Sequence, residues 1–520
     1  MFIQELRWRE AASWRIRVKK YLLGIDIGTS ACKVAVFNRE GEVIASGNGE
    51  YQVYYPQQGY AEQKPEEWWE TIYHTVKATL QKADIDSKDI AGIGVDGQSW
   101  SAIAVDEKGT VLHNTPIWMD SRSDSICKRL NEEIGADNIF NLAGNSLQPS
   151  YTTAKIIWYK ENLPEVYKKI YKILQSNSFI VHRLTGVFSQ DKSQGYGLHC
   201  FDMHSGTWNE KMCERLGIAK ELLPDIYDCH QVVGCVTEEA ARLSGLAVGT
   251  PVVAGGLDAA CGTLGAGVIH PSQTQEQGGQ AGGMSICMGE YNADPSLILS
   301  FHVIPERWLL QGGTTGGGGA MRWFEKEFAD FEREEAKRLG KSSLEQLNLI
   351  ADKVNPGCDG MVFLPYMAGE RSPIWDVKAK GVYYGLDYSK TKGHFVRAVM
   401  EGVAYSLKHN LEVAKAAGAE VNEMRAMGGS ANSLLWTQIK SDITGKPIAV
   451  PSSDTATTLG AAILAGVGVG MYQDFEEAVE LTVKVKRYHK PNMDNHAIYQ
   501  ENYKTYLEVY KNLSNTMKER

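Results

Sequence analysis

Apolar runs of strand length alternate with amphipathic helical stripes along the chain. Residues 22–27 form one such run and the alternating run Ala31–Phe37 follows at once, which predicts a hairpin. Residues 65–82 open with a proline, which suits the first turn of a helix, and place apolar side chains three and four positions apart. Residues 90–95 predict the next strand. This repeating order predicts an α/β fold.

A Gly-x-Gly-x-x-Gly pattern spans residues 92–97, but its glycines lie within the predicted strand. The sequence that follows is again strand-like, and residues 101–105 and 110–112 predict a second hairpin. A dinucleotide fingerprint needs a strand, a turn and then a helix, so this pattern predicts no dinucleotide site. The chain contains no Gly-x-x-x-x-Gly-Lys-[Ser/Thr] motif, which means that any nucleotide site is not a P-loop.

The turn of the first hairpin offers groups for chemistry. The apolar strand delivers Asp26 to the end of the sheet, and Gly28 allows a tight turn. Thr29 and Ser30 then provide hydroxyl and N–H donors for anionic oxygens. Asp26 remains free to hold a divalent cation, directly or through water. An ordinary hairpin turn needs the same small residues for conformation alone, so both interpretations stay open for this motif.

A second apolar strand, residues 252–254, also ends in small residues and a carboxylate, Asp258. Two carboxylates at strand ends suggest one site between them. The sequence neighbours of Asp258 are Gly, Ala and Cys, which offer its carboxylate few partners. Its function therefore depends on a bound ligand, such as a metal, a substrate hydroxyl or a phosphate. A helix N-cap is the alternative role for this aspartate.

Three glycine-marked segments follow in the second half of the chain. Residues 311–319 predict a loop that lets the backbone approach a ligand at a helix N-terminus, with a flexible surface loop as the alternative. Residues 424–427 predict a strand, 428–432 its turn and 433–444 a helix, an order that suits the floor of a nucleotide site. The Ala- and Gly-rich residues 456–470 predict a closely packed structural helix.

Composition limits the classes of partner. The chain has 520 residues and a net charge of −9, which argues against a nucleic-acid surface. Nine cysteines without a C-x-x-C pair or zinc spacing predict reduced thiols in the cytoplasm, with no disulfide framework and no zinc site. No apolar run predicts a membrane span. Residues 1–20 mix arginines without an apolar core, so they predict an N-terminal extension and not a secretory signal.

Several motifs in order resemble those of the FGGY carbohydrate kinase family, within the actin and Hsp70-like ATPase superfamily. The resemblance covers nearly the whole chain from Tyr21 to about Val485. The motifs that carry it are Asp-Ile-Gly-Thr-Ser at 26–30, Thr-Thr-Ala-Lys-Ile-Ile-Trp at 152–158, the Asp258 segment, Gly-Glu-Arg-Ser-Pro at 369–373, Lys-Gly-Val-Tyr-Tyr-Gly-Leu at 380–386, Gly-Gly-Ser at 428–430, Trp-Thr-Gln-Ile at 436–439 and Asp-Ile-Thr-Gly-Lys-Pro at 442–447.

The resemblance implies two ribonuclease H-like domains around a central cleft that holds MgATP and a polyol or ketose. The N-terminal domain would span residues 21–267 and the C-terminal domain residues 268–520. Closure of the two domains would exclude water from the cleft. The implied activity is ATP-dependent phosphorylation of a sugar hydroxyl, and the implied cofactor is Mg²⁺.

The resemblance also implies roles for individual residues. Asp258 would be the general base and Asp26 would support Mg²⁺. The ATP and phosphate contacts would be Gly28, Thr29, Ser30, Gly283, Gly318, Gly428, Gly429 and Asn432. The sugar contacts would be Gln98, Ser99, Trp100, Asp120 and Arg122. Trp100 suits the apolar face of a sugar, with a core position as the alternative, and Asp120 and Arg122 would point apart in an extended segment.

The chain departs from the family pattern in two places. Xylulokinases usually carry Met-His-Gly after the Gly-Gln pair, whereas Ser99 and Trp100 follow here. The second phosphate loop usually contains a Gly-Thr pair, which residues 280–285 lack. Backbone N–H groups, Ser285, or the pair Thr314 and Thr315 would replace that hydroxyl. We expect Glu370 and Arg371 to form an ion pair that anchors a loop.

These observations favour a ketose kinase, with D-xylulose as the first candidate. Another ketopentose, a deoxyketose or a polyol is the alternative substrate. An actin- or Hsp70-like ATPase without sugar phosphorylation and a catalytically silent sugar sensor are the alternative functions. The expected partners are ATP and a small sugar, with no nucleic acid and no membrane, and a second copy of the chain in a homodimer.

Overall fold

The computed structural model describes residues 19–453 and 455–519. Nearly all of the expected extension, residues 1–18, lies outside them. Two seven-stranded sheets form the framework. The first sheet consists, in spatial order, of Val232–Cys235, Pro251–Val253, Ile90–Gly97, Tyr21–Ile27, Ala31–Phe37 and Val43–Glu50, with Gly256–Leu257 also beside Ile90–Gly97. The second consists of Ile298–Phe301, Trp308–Thr314, Gly282–Met288, Gln273–Gly278, Glu423–Met427, Ile448–Pro451 and Val485–His489.

The two sheets repeat one strand order. In each, a central strand pairs antiparallel with the next strand of the chain and parallel with the strand after a crossover: Tyr21–Ile27 with Ala31–Phe37 and Ile90–Gly97, and Gln273–Gly278 with Gly282–Met288 and Glu423–Met427. The turn at residues 28–30 and the turn at residues 279–281 therefore occupy equivalent places in the two halves. The expected architecture of two α/β domains is confirmed.

Helices cover the sheets and connect their strands. Within the described residues, the α-helices are Pro65–Ala83, Asp124–Leu130, Ala136–Ala143, Thr152–Asn162, Pro164–Tyr167, Ser176–Thr185, Glu210–Leu216, Glu238–Ser244, Asp258–Gly265, Gly318–Phe328, Asp330–Leu339, Ser343–Ala351, Lys392–Ala416, Leu434–Thr444, Ala456–Gly468, Phe475–Thr482 and Met493–Lys518. A π-helical turn spans Asn131–Gly135, and 3₁₀ turns span Ser87–Asp89, Gly195–Gly197, Lys220–Leu222, Cys358–Gly360 and Gly429–Asn432.

The part of the chain that the structure describes also contains five two-stranded ribbons. Their paired strands are Glu62–Gln63 with Thr115–Pro116, Ile103–Val105 with Lys172–Leu174, Ser189–Asp191 with Asp225–Tyr227, Phe201–Asp202 with Thr207–Trp208, and Val362–Leu364 with Val382–Tyr384. The hairpin expected at residues 101–112 forms only in part. A single bridge joins Val105 to Val111, whereas the strand Ile103–Val105 pairs along its length with Lys172–Leu174.

Most of the predicted elements are confirmed. The helix begins at Pro65 as expected, and the strand Ile90–Gly97 contains all three glycines of the Gly-x-Gly-x-x-Gly pattern. The strand Glu423–Met427, its turn and the helix Leu434–Thr444 follow in the expected order, and that helix ends at Gly445, whose φ of 67° is left-handed.

The helix Ala456–Gly468 joins the two halves of the molecule. It packs on the first sheet, where a β-carbon on Gly24 would lie 2.0 Å from the carbonyl oxygen of Thr458 and one on Gly94 would lie 1.8 Å from that of Ala461. It also packs closely on the helix Asp258–Gly265. The structural role expected for its small residues follows from these contacts.

Among the described residues, no helix is long and apolar enough to cross a membrane. All nine cysteines lie in the described part of the chain and all are free thiols.

Candidate active site

Two cavities meet at Asp258. The larger cavity has a volume of about 510 Å³, and the smaller cavity one of about 310 Å³. The residues that line both are Asp258, Ala259, Gln275 and Gln277. The larger cavity is also lined by Thr29, Gln98, Ser99, Trp100, Trp118, Tyr196, residues 279–285, Ile298, residues 311–313 and Arg371. The smaller is also lined by Asp26, Gly28, Lys33, Gly262, Met427, Gly428, Ala456 and Thr457.

Asp258 stands at the first position of the helix Asp258–Gly265, where Leu257 is the N-cap residue. Its Oδ1 accepts a hydrogen bond from the N–H of Ala259 at 2.6 Å. Burial, followed by the nearby Asp26 carboxylate, raises the pKa of Asp258 to about 7. A carboxylate with a pKa near neutrality suits the acceptance of a proton from a hydroxyl. The structure therefore gives this side chain a place between two cavities instead of an N-cap role.

Asp26 has a carboxylate neighbour that our sequence interpretation missed. Asp96 lies directly beside it in the parallel register of the two strands. Both Asp96 oxygens are buried, and neither makes a hydrogen bond of normal geometry within the described part of the chain. Burial is the main cause that raises the pKa of both groups, that of Asp96 well above its usual range. The sequence did offer one signal for Asp96, which is its position at the end of a predicted strand. In the structure this strand pairs parallel with the strand of Asp26.

The carboxylates fit a divalent cation that arrives with a nucleotide. Mg²⁺ commonly takes one or two carboxylates, with phosphate oxygens and water completing its shell. Asp26 lines the smaller cavity, and its Oδ2 lies 3.9 Å from the Nζ of Lys33. Within residues 19–453 and 455–519, no group of three or more His, Cys, Asp and Glu side chains forms a metal cluster. The donor set thus suits a metal bound jointly with phosphate.

The residues of the first turn face different surroundings. Gly28 lines the smaller cavity and Thr29 the larger. The Oγ1 of Thr29 accepts a hydrogen bond from the indole N–H of Trp118 at 3.0 Å, which fixes the hydroxyl at the cavity wall. Ser30 is exposed and is not among the residues that line either cavity.

Gln98, Ser99 and Trp100 line the larger cavity together. The Nε2 of Gln98 donates to the Oε1 of Gln63 at 2.8 Å, while the Oε1 of Gln98 is buried with no partner in the described part of the chain. The Oγ of Ser99 accepts from the hydroxyl of Tyr196 at 3.1 Å. The fixed amide thus offers an acceptor to a hydroxyl of a ligand.

The indole of Trp100 is held firmly. Its backbone is left-handed, with φ of 61°, and its ring centroid lies 4.3 Å from that of Tyr151. The carbonyl oxygen of Trp100 accepts from the Nζ of Lys155 at 2.8 Å, and this lysine also donates to the carbonyls of Ile117 and Ser150. Backbone strain at a ligand-facing residue is typical of functional sites.

Asp120 and Arg122 lie apart from the residues that line the two cavities. Their segment is a turn, so the side chains meet instead of pointing apart: Nη2 of Arg122 lies 2.8 Å from Asp120 Oδ2 and 2.7 Å from Glu62 Oε1. The guanidinium also stacks over the ring of Tyr60 at 3.8 Å. These contacts pair the charges within the protein, while Nη1 of Arg122 is buried with no hydrogen-bond partner among the described residues. A contact of Asp120 and Arg122 with a sugar stays a prediction.

The second hairpin forms the opposite wall of the larger cavity. Gly283 and Ser285 line it, whereas Gly318 donates its N–H to the carbonyl of Gly279 at 2.8 Å and lines neither cavity. The hydroxyls of Thr314 and Thr315 already donate to the carbonyls of Gly316 and Gly369. We expected Ser285, Thr314 or Thr315 to replace the hydroxyl of the missing threonine. Ser285 lines this wall of the larger cavity, and the two threonines do not.

The expected adenosine residues lie at the end of the strand Glu423–Met427. Gly428 lines the smaller cavity, with a left-handed φ of 84°. Gly429 and Asn432 are exposed on the following 3₁₀ turn. Ser430 belongs to the same turn, and its Oγ accepts a hydrogen bond from Nζ of Lys440 at 2.8 Å.

Glu370 anchors a loop, but not in the expected way. Its Oε1 accepts the N–H groups of Thr315 and Arg371, each at 2.7 Å. The Glu370 and Arg371 side chains attract each other electrostatically, as expected, but no close ion-pair contact joins them among the described residues. The guanidinium lines the larger cavity instead.

Comparison with known proteins identifies the family. Residues 21–265 match the N-terminal domain of the FGGY family of carbohydrate kinases, and residues 287–469 match its C-terminal domain. The chain belongs to the FGGY family of carbohydrate kinases. The predicted boundary at residue 267 lies between the two matched segments and stays a prediction.

Relatives of this carbohydrate kinase cover nearly its whole length. The xylulose kinase of Staphylococcus epidermidis is 31% identical over 498 residues, which are 95% of this chain and 97% of that protein. The gluconokinase of Bacillus subtilis is 30% identical over 95% of each chain. The structure of a ligand-bound xylulose kinase from Lactobacillus acidophilus has a TM-score of 0.87 at 26% identity and matches 95% of this chain and 98% of its own.

Proposed function

We propose that this kinase transfers the γ-phosphoryl group of MgATP to a hydroxyl of a ketose, with D-xylulose as the first candidate. The observation that carries the proposal is the place of Asp258, which lines both cavities. The larger cavity offers Gln98 and Trp100 to a sugar, and the smaller offers Asp26, Gly28 and Gly428 to phosphate and nucleoside. Xylulose kinases among the relatives support the choice of sugar.

In this mechanism Asp258 takes the proton of the sugar hydroxyl as its oxygen attacks the γ-phosphorus. A bond forms between that oxygen and phosphorus, the bond from the γ-phosphorus to the bridging oxygen breaks, and ADP leaves with the electron pair. Asp26, with Asp96 beside it, would hold the Mg²⁺. When bound, this ion offsets the charge of the phosphates.

The other residues of the site orient the sugar and the phosphates in this proposal. The unpaired Oε1 of Gln98 accepts from a sugar hydroxyl, and the indole of Trp100 covers a C–H face. The N–H groups of the glycine turns at residues 28–30 and 279–283 approach the phosphates, because glycine leaves the backbone open. Gly318, Gly429 and Asn432 complete the nucleotide side in this proposal.

A coupled-enzyme screen tests the function. Full-length protein with MgATP is offered D-xylulose, other ketopentoses, a deoxyketose, glycerol and D-gluconate, and ADP release is followed. We expect release that depends on the sugar and is fastest with a ketose. Release at the same rate without any sugar would favour the alternative ATPase, and nucleotide binding without release would favour the silent sensor.

We also place the kinase in the cytoplasm, because its nine free thiols and its use of ATP suit that compartment. A homodimer is the proposed assembly. Sedimentation velocity at micromolar concentration tests it, and a single species of 57.5 kDa would contradict it.

A further inference from the structure

Arg371 brings a positive charge to the wall of the larger cavity. Its guanidinium lies against Gly313, where a β-carbon would be 3.1 Å from Cζ of the arginine. Nη2 donates to the carbonyl of Thr314 at 3.3 Å, a long hydrogen bond. Nε is buried with no partner among the described residues. Most of the N–H donors of the guanidinium therefore have no partner among the described residues.

The neighbouring acid, Glu370, attracts this charge but makes no hydrogen bond to the guanidinium among the described residues. Oε1 of Glu370 is occupied by the N–H groups of Thr315 and Arg371, and its Oε2 is buried without a partner in the described chain. Burial raises the pKa of Glu370 to about 7. Of the other residues that line the cavity, Asp258 is the only one that carries an acidic side chain.

A guanidinium that is taken out of water without a counter-ion is costly, and buried charges in proteins are usually paired. The cavity beside Arg371 is large enough for a small ligand, and Gln98 and Trp100 line it too. An anionic group of a ligand that lies at Arg371 would supply the hydrogen-bonded counter-ion that Glu370 does not provide.

We propose that Arg371 binds an oxyanion within the larger cavity through the fork of its guanidinium. The oxyanion comes from one of two sources: the phosphoryl group as it passes to the sugar, or a carboxylate of an acidic sugar. The inference rests on the proposed function, because it deepens the recognition of the same ligands. A planar guanidinium suits both anions, since each offers two oxygens to two parallel N–H groups.

Equilibrium binding to the full-length protein tests this assignment without any need for turnover. Calorimetry measures the Kd of inorganic phosphate and of D-gluconate for the wild type, Arg371→Met and Arg371→Lys. The matched control is Arg338→Met, because Arg338 is exposed on the helix Asp330–Leu339 and pairs with Glu335 of the same helix. Thermal melts show whether each variant is folded.

We expect Arg371→Met to weaken binding of at least one anion by about tenfold or more, which is the size expected for a charge-assisted hydrogen bond. Arg371→Lys keeps the charge and loses the fork, so it weakens the same anion by less; it carries the test if the methionine variant does not fold. The control leaves both Kd values unchanged.

The titrations with phosphate and with D-gluconate distinguish the two sources of the oxyanion. A loss for phosphate alone assigns Arg371 to the phosphoryl group, a loss for gluconate alone assigns it to a sugar carboxylate, and a loss for both assigns it to either oxyanion. The proposal is overturned if the wild type binds neither anion, or if no folded variant changes either Kd by more than about twofold. A kinase that fails the sugar screen yet shows these losses would contradict the proposed function alone.

Discussion

At the scale of single residues, burial decides what each carboxylate of the site can do. Asp258 and Asp96 lie in one buried region with Asp26. The Asp26 charge adds to burial in raising the pKa of both, and Asp258 also raises that of Asp96. A carboxylate with a raised pKa accepts a proton near neutral pH. It also favours the binding of a cation that compensates its charge. The same three side chains on a surface would be ordinary solvated acids.

Gln98 gives a prediction about the sugar. Replacement of Gln98 with Ala removes the buried Oε1 acceptor, so the KM of the sugar rises far more than the KM of ATP, by about tenfold for a lost hydrogen bond of about 1–1.5 kcal/mol. Steady-state kinetics with each substrate varied in turn measure both constants. The control is the exposed Gln81→Ala. Equal changes in both constants would refute this place for the sugar.

His199 and His302 give a prediction about pH and stability. Burial lowers the pKa of each ring to about 4, from 6.5 in the unfolded chain. Their contribution to stability is present above pH 6.5 and is lost as pH falls toward 4, because the unfolded chain alone takes up protons in that range. The loss is up to about 3 kcal/mol for each histidine.

Melting temperatures between pH 7.5 and pH 4.5 check this dependence. We expect His199→Gln to make the slope of melting temperature against pH less positive than in the wild type, since the variant removes one of the groups that titrate in this range. His204→Gln, a change at an exposed position, is the matched control and keeps the wild-type slope. Parallel slopes for the wild type and His199→Gln would disprove the assignment.

At the scale of elements, local pattern predicted most of what the structure contains. The hairpin at Asp26, the helix Pro65–Ala83 and the strand, turn and helix from Glu423 onward follow from periodicity and glycine chemistry alone. The partner of Ile103–Val105 is almost seventy positions away, so no local signal could show it. The fold of the whole chain came from the family resemblance.

The site was predicted less completely than the fold, for a physical reason. Asp26 and Asp258 stood out because polar groups ended apolar runs. Asp96 ends a strand in the same way, but its proximity to Asp26 depends on strand pairing. Glu370 accepts hydrogen bonds from backbone N–H groups and not from the Arg371 guanidinium, a choice that depends on the folded loop and that the local sequence does not encode.

Gly94 gives a prediction about packing between elements. A β-carbon there would lie 1.8 Å from the carbonyl oxygen of Ala461, so Gly94→Ala must push the helix Ala456–Gly468 away from the sheet. We expect a loss of about 1–3 kcal/mol in the free energy of unfolding, or more. Denaturant titration measures it.

The control for that substitution is Gly279→Ala. A β-carbon on Gly279 would meet its nearest neighbour, the carbonyl of Ala281, at an ordinary 3.6 Å. Its free energy of unfolding should stay close to that of the wild type. Equal stability of both variants would contradict the close packing described for Gly94.

At the scale of the whole molecule, two halves around a central cleft predict a closing motion of one half toward the other. The two sheets with their helices form two halves, and the helices Asp258–Gly265 and Ala456–Gly468 pack against each other where the halves meet. We expect D-xylulose together with an unreactive ATP analogue to close the halves and reduce the radius of gyration in X-ray solution scattering. The analogue alone is the control. An unchanged profile with both sites saturated would contradict the closure.

The role of Asp258 as base is the central claim, and turnover of Asp258→Asn with saturating D-xylulose and MgATP tests it most directly. Asp225→Asn, at an exposed carboxylate, is the matched control. The account predicts a fall of about 10²-fold or more in kcat, with an unchanged thermal melt and a Kd for ATP within about twofold of the wild type, because only the proton acceptor is lost. Turnover close to that of the wild type in a folded Asp258→Asn variant would contradict it.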